Sequence, residues 1–184
     1  MTDTAPRDVL DFWFKETPPE KRFVSDPELD AQIRSRFEAT WRLGCAGGLK
    51  AWESEPNGAL ALIVLFDQFP RNMFRGSGDA FASDVLARDI AKRAIAQKRD
   101  LETPASLRSF FYLPLMHSEH LADQEICVRL TKERLGEDHF SYPYALSHKA
   151  AVERFGRFPA RNKALLRAST AEEQDFLKHN PLGF

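Results

Sequence analysis

Residues 59–66, Ala-Leu-Ala-Leu-Ile-Val-Leu-Phe, are the one stretch apolar enough to read as a buried strand, and what they become fixes the fold class. A strand needs a neighbour, because an unpaired buried backbone leaves its amides and carbonyls without hydrogen bonds. No second β-rich run exists to supply one. Pro56, just upstream, suits the first turn of a helix. The run is therefore expected to be a buried helix and the chain all-α.

The remaining periodicity agrees. Leu29, Ile33, Phe37 and Trp41 recur every fourth residue, which is one helical face. Ser25 to Glu28 has capping-box spacing, with Pro27 in the first turn, and Gly44 is expected to close that helix. Residues 80–97 hold no Gly or Pro, and Phe81, Val85, Leu86, Ile90 and Ala94 cover more than one stripe, which predicts packing on two sides. Ser118 is expected to cap a helix ending at Gly136, and Thr170 with Glu173 forms a second capping box. The breaks at 17–25, 75–79, 99–104 and 136–141 are too short for domain linkers. About seven helices in a single domain over residues 1–184 are expected. Its core should include Trp13, Phe37, Trp41, Leu62, Leu65, Phe66, Phe81, Leu86, Phe111 and Val152.

Composition narrows the function classes. A 184-residue chain with 43% hydrophobic residues can bury a core without a disulfide or a metal. Twenty-six basic against 27 acidic side chains leave a net charge of −1, so no global field recruits nucleic acid or an anionic membrane. Cys45 and Cys127 lie far apart and form no CxxC, which fits a reducing compartment. The first residues, MTDTAPRDVLDFWF, lack a basic n-region, and no apolar run nears the roughly 20 residues of a membrane span. A cytoplasmic location is expected.

Most catalytic signatures are absent. There is no GxxxxGK[ST] and no GxSxG, and Gly76-Ser77-Gly78 lacks a third glycine and a preceding strand. His117-Ser118-Glu119 matches the H-x-E half of a zinc deaminase signature, but no P-C-x-x-C follows. His117 and His120 are spaced for one helix turn without a third ligand in view, so neither a metal nor a cofactor is expected.

What the chain does carry is an echo. Phe66-Asp67-Gln68-Phe69-Pro70-Arg71-Asn72 resembles Phe155-Gly156-Arg157-Phe158-Pro159-Ala160-Arg161-Asn162: F-x-x-F-P, then R-N, with one extra residue in the second copy. Each proline should stop or bend a helix. Termination accounts for the Phe-Pro pair but not for the Arg-Asn that follows both times. Two further groups stand out. Residues 109–116 are strongly apolar and deliver His117, Ser118 and Glu119 to a helix start, where a carboxylate either caps the helix or holds an arginine or a ligand. His148 shares a helical face with Ala145, Val152 and Phe155, the place of a hydrogen-bonded core histidine or of a site residue. Residues 154–170 hold Arg154, Arg157, Arg161, Lys163 and Arg167 and no acid, which reads as a solvated basic face or an anion site.

Three segments, FDQFPRNMFRG (66–76), FFYLPLMHSE (110–119) and HKAAVERFGRFPARN (148–162), together resemble the bacterial "domain of unknown function 924" family over nearly the whole chain. The resemblance implies a fold like tetratricopeptide repeats, antiparallel helix pairs stacked in a short superhelix. Its signature positions fall here on Gln68, Arg71, Asn72, Arg75, His117, Glu119, His148, Arg154, Arg157, Arg161 and Asn162. This chain departs from the pattern at Ala160, where a His is common, and at Leu166, where a Gly is common.

Three functions are open. The first is a binding module with a concave site of Gln68, Arg71, Asn72, Arg75, His117, Glu119, His148, Arg157, Arg161 and Asn162 for an anionic small molecule or peptide. The second is an enzyme of unassigned reaction with His117 or His148 as acid–base. The third is a polar network that only fixes the fold. In the first reading Arg71 and Arg161 meet at one anion site, with Glu119 or an external anion between them.

Overall fold

The structure is a computed structural model describing residues 4–180 and 183–184. Every regular element among the described residues is helical, and no strand is present among them. The chain divides into two compact units, Met1–Phe111 and Tyr112–Phe184.

In the first unit α1 (Pro6–Asp11) runs into a π-helical turn, Phe12–Glu16. Then come α2 (Pro27–Cys45) and α3 (Pro56–Ile63), a second π turn at Val64–Gln68, α4 (Phe69–Met73) and α5 (Asp84–Ala96). Two single turns, α6 (Arg99–Glu102) and α7 (Ala105–Arg108), close the unit. The run 59–66 is helical and buried throughout, as its lack of a strand partner requires. The expectation of about seven helices is too low, because π turns and prolines cut what periodicity reads as continuous helix.

Local chemistry corrects three boundaries. Asp26, not Ser25, caps α2: its carboxylate accepts the amides of Glu28 and Leu29, while Pro27 occupies the first turn. Gly44 lies inside α2, and the left-handed residue beyond the helix is Gly47, with φ of 84°. Gly44 serves packing instead, since a Cβ there would stand 2.7 Å from the Phe66 ring. Residues 80–83 are not part of α5, because a 3-10 turn at Gly78–Phe81 precedes it. That changes the buried face. Ser83, Ala87, Ile90, Ala91 and Ala94 form a single buried stripe, while Val85 and Leu86 are exposed and Phe81 is half-buried. The two-sided packing expected for this segment is therefore wrong, and Phe81 and Leu86 leave the predicted core. The other eight predicted core residues are buried.

The centre of this unit is aromatic. Phe12 meets Phe37 edge-on at 5.1 Å, Phe69 lies 4.8 Å from Phe37, and Trp13 meets Phe69 at 5.6 Å. Such pairs add about 0.5–1.5 kcal/mol each beyond their burial.

The π turn at Val64–Gln68 has a readable cause. Pro70 carries no amide hydrogen, so the Phe66 carbonyl, four residues earlier, cannot receive the usual helical bond. The buried Ser83 hydroxyl donates to that carbonyl at 2.7 Å and accepts the Trp41 indole N–H at 2.9 Å. Phe69 meanwhile donates to Val64, five residues back.

In the second unit α8 (Leu113–Met116) leads to α9 (Leu121–Leu135), α10 (Ser141–Phe155) and α11 (Ala171–His179). α9 packs along α10, burying Cys127, Leu130 and Thr131 on one and Ala145, His148, Ala151 and Val152 on the other. Gly136 (φ 98°) stops α9 as expected, and Gly156 (φ 67°) stops α10. α9 starts at Leu121, later than expected. Ser118 accepts the His120 amide and donates to Asp123 at 2.7 Å, bracing the approach rather than capping the helix. Thr170 and Glu173 form the expected capping box.

Candidate functional site

The first Phe-Pro turn places its polar residues on α4 and the π turn before it. Asn72 donates to Asp30 at 2.8 Å, and Arg75 grips the same carboxylate with two bonds of 2.9 Å. Burial opposes ionisation of Asp30, but Arg75 and Asn72 outweigh it and hold the carboxyl below its usual range. Arg71 forks onto Asp84 at 2.9 and 3.1 Å and reaches both the carboxylate and the carbonyl of the fully buried Asp67. Gln68 also donates to Asp67. Desolvation would weaken the Arg71 charge; Asp67 and Asp84 reverse that and raise its pKa.

The second turn is built in parallel. Arg157 binds Glu173 through bonds of 2.6 and 2.9 Å, and Asn162 donates to the same carboxylate at 3.2 Å. Glu173 also accepts the Thr170 amide at 2.7 Å. Arg157 above all, with these amides, pulls the Glu173 pKa down to about 2. Arg154 pairs with Glu172 at 2.8 Å. Within the basic stretch 154–170, Arg154, Arg157 and Arg167 pair with acids from outside it, Glu172, Glu173 and Glu119.

Glu119 does hold an arginine, but the one in bidentate contact is Arg167, at 2.7 and 2.9 Å. Glu119 also accepts the Phe158 amide at 2.8 Å. Burial raises its pKa, and Arg167, that amide and Arg161 together bring it below the usual range. The helix-capping role considered for Glu119 is not what the structure shows. Arg167 further donates to the Asn162 side chain at 2.9 Å, joining the Glu119 and Glu173 clusters through one asparagine.

Arg161 and the histidines form a different kind of group. Arg161 donates to the His117 carbonyl at 2.8 Å and lies 4.7 Å from the Phe158 ring centroid. The rings of His117 and His148 are 6.1 Å apart. His148 is only 7% exposed, and its Nδ1 donates to the Tyr144 carbonyl at 2.8 Å. His148 also meets Phe158 edge-on at 5.4 Å.

The ten predicted residues fall into five groups: Gln68 and Arg71 share Asp67, Asn72 and Arg75 share Asp30, Arg157 and Asn162 share Glu173, Glu119 holds Arg167, and His117 joins Arg161 and His148. Sequence reasoning missed the carboxylate of Asp30, Asp84 as a partner, and Arg167. Asp30 and Asp84 stand in the first turns of α2 and α5, where an acid needs no partner to be favoured, and Glu173 was visible only as a cap. An open hollow of about 750 Å3 in the first unit, lined in part by Arg7, Asp11, Lys15, Trp52 and Asn57, contains none of the ten. Its rim charges are self-paired: Asp11 binds both Arg7 and Lys15. Among the described residues no three His, Cys, Asp or Glu side chains gather as a metal site. No helix of the described residues is long and apolar enough to cross a membrane.

Comparison with solved structures finds a protein of unknown function from Agrobacterium tumefaciens that is 38% identical. The similarity covers 95% of this chain and 97% of that one, with a TM-score of 0.88. No curated protein matches. A family model described as bacterial protein of unknown function, DUF924, matches residues 9–181, and with it the three polar segments that build these clusters. The chain belongs to the DUF924 family of bacterial proteins.

Proposed function

We propose that the protein is a cytoplasmic binding module on the tetratricopeptide-repeat plan, which receives an anionic small molecule or peptide on the unit of residues 112–184. α9 and α10, fifteen residues each, span Leu121–Phe155 and pack along one another, the form and nearly the length of one such repeat. The observation that carries the reading is the group of His117, His148 and Arg161. It brings the Arg161 guanidinium and the His148 imidazole beside the Phe158 ring, with His117 next to His148, a combination suited to a carboxylate or phosphate on an organic ligand.

The reading divides the ten candidates. Gln68, Arg71, Asn72, Arg75, Glu119, Arg157 and Asn162 act as internal clamps, each committed to a carboxylate or guanidinium of the fold. His117, His148 and Arg161 face the ligand. A thermal-shift screen of carboxylates and phosphorylated metabolites tests this division. Hits should raise the melting temperature of the native protein by mass action and lose that effect in Arg161→Ala. Arg75→Ala should lower the baseline and keep the ligand-induced increment. A screen without hits, or hits indifferent to Arg161→Ala, overturns the reading.

A further inference from the structure

Gly183 and Phe184 are held by the same cluster. The Phe184 ring stacks on His148, with centroids 3.8 Å apart and planes 23° from parallel. Tyr144 flanks it at 6.4 Å, and it packs against the buried group of Ala151, Val152 and Phe158. Gly183 passes so close to Ala160 that a Cβ would stand 2.2 Å from the Ala160 methyl, and its φ of 80° also favours glycine. Two independent features thus select a residue with no side chain followed by a flat ring. Tyr144 itself is 49% exposed.

We propose that the hollow formed by Tyr144, His148, Val152, Phe158 and Ala160 is a recognition site for a glycine–aromatic pair in a turned peptide segment of another protein, and that Gly183–Phe184, where the Gly183 amide donates to the Asn180 carbonyl at 2.8 Å, is its internal occupant. This rests on reading residues 112–184 as the binding unit and names the ligand class. The ring supplies burial against His148 and Phe158, and the glycine lets the peptide backbone cross Ala160. Tethering gives the internal pair a high effective concentration, so it competes with any external peptide. Binding from outside therefore strengthens when the pair is withdrawn.

The test uses the full chain and the peptide Asn-Pro-Leu-Gly-Phe, blocked at both ends so that charge does not drive binding. In the native protein the His148 ring protons should show an upfield ring-current shift in the NMR spectrum. Phe184→Ala should lose it, and saturating peptide should restore it. The variant should bind the peptide at least about ten-fold more tightly than the native protein, since the tethered competitor is gone. A peptide with Ala in place of its Gly should bind at least about ten-fold more weakly than the parent. Gly183→Ala expels the same pair while keeping every side chain of the hollow, and should behave like Phe184→Ala if that variant folds poorly. No response of either variant to millimolar peptide, or equal binding of the Gly and Ala peptides, overturns the inference. If anionic ligands still shift the melting temperature through Arg161 in that case, the binding-module reading stands and only the peptide assignment falls. If neither ligand class binds, both fall.

Discussion

Replacing Ser83 by Ala probes how Pro70 is accommodated. Ser83 is fully buried and its hydroxyl serves two groups at once, donating to the Phe66 carbonyl at 2.7 Å and accepting the Trp41 indole N–H at 2.9 Å. Alanine keeps the Cβ and removes both bonds, leaving a buried donor and a buried acceptor. Each such group costs about 1–3 kcal/mol, so Ser83→Ala should lose about 2–6 kcal/mol. The three tryptophans, Trp13, Trp41 and Trp52, all lie in the first unit, so urea unfolding followed by tryptophan fluorescence reads the relevant transition. The midpoint should fall with the slope unchanged. A loss under about 1 kcal/mol would refute the reasoning, because at least one of the two groups would then have another partner. Pro70→Ala in the same background sharpens the test. It returns an amide hydrogen that can reach Phe66, so the double variant should be more stable than the sum of the single changes, by about 0.5 kcal/mol or more. Strict additivity would show that the proline does not create the need for the hydroxyl.

Gly58→Ala should destabilise by about 1–3 kcal/mol in the same assay, because its Cβ would lie 1.8 Å from the Trp52 carbonyl oxygen and only backbone movement can relieve that. The lowered Glu173 pKa of about 2 means that its stabilising effect is complete above its ordinary value of 4.5 and disappears as pH falls towards 2. Acid titration of the native protein should show this loss of stability, and Glu173→Gln should flatten that limb while lowering stability at neutral pH. Leu166→Gly should stabilise by about 0.5 kcal/mol in thermal unfolding. Leu166 sits at φ of 54° and is 95% exposed, so relief of left-handed strain exceeds the entropy cost of glycine and no packing is lost.

Helical character was legible because burial and period leave few alternatives. The run 59–66 had no strand partner, and Leu29, Ile33, Phe37 and Trp41 are all buried as their spacing requires. Boundaries were less legible where two residues compete for one role. Ser25 and Asp26 can both cap a helix, and only the backbone path decides that Asp26 meets the amides of Glu28 and Leu29. The face of α5 was misread because its buried stripe is mostly alanine while Val85 and Leu86 face outward, which a hydrophobic pattern cannot anticipate. The same limit governs the candidate site. The echoed Arg-Asn pairs make contacts beyond their own turns, and some of the partners lie far along the chain: Asn72 finds Asp30 42 residues away, and Arg161 finds the His117 carbonyl at a separation of 44. Charge spacing along a sequence carries no record of such pairings. The resemblance leads one to expect Gly where Leu166 stands, and Leu166 adopts a left-handed φ of 54°, the conformation that favours glycine.

The close approach of Gly44 to Phe66 bears on how sequences of this kind can diverge. With only 2.7 Å between a would-be Cβ and the ring edge, neither position is free to drift while the other stays fixed. A methyl at 44 becomes tolerable only after the ring at 66 has shrunk. A smaller residue at 66 leaves a void until 44 has grown. The pair therefore forms a two-step evolutionary ratchet, in which each change is deleterious alone and neutral in company. Related chains should populate the two compatible combinations, a glycine with an aromatic or a larger residue with an aliphatic, and avoid the mixed ones.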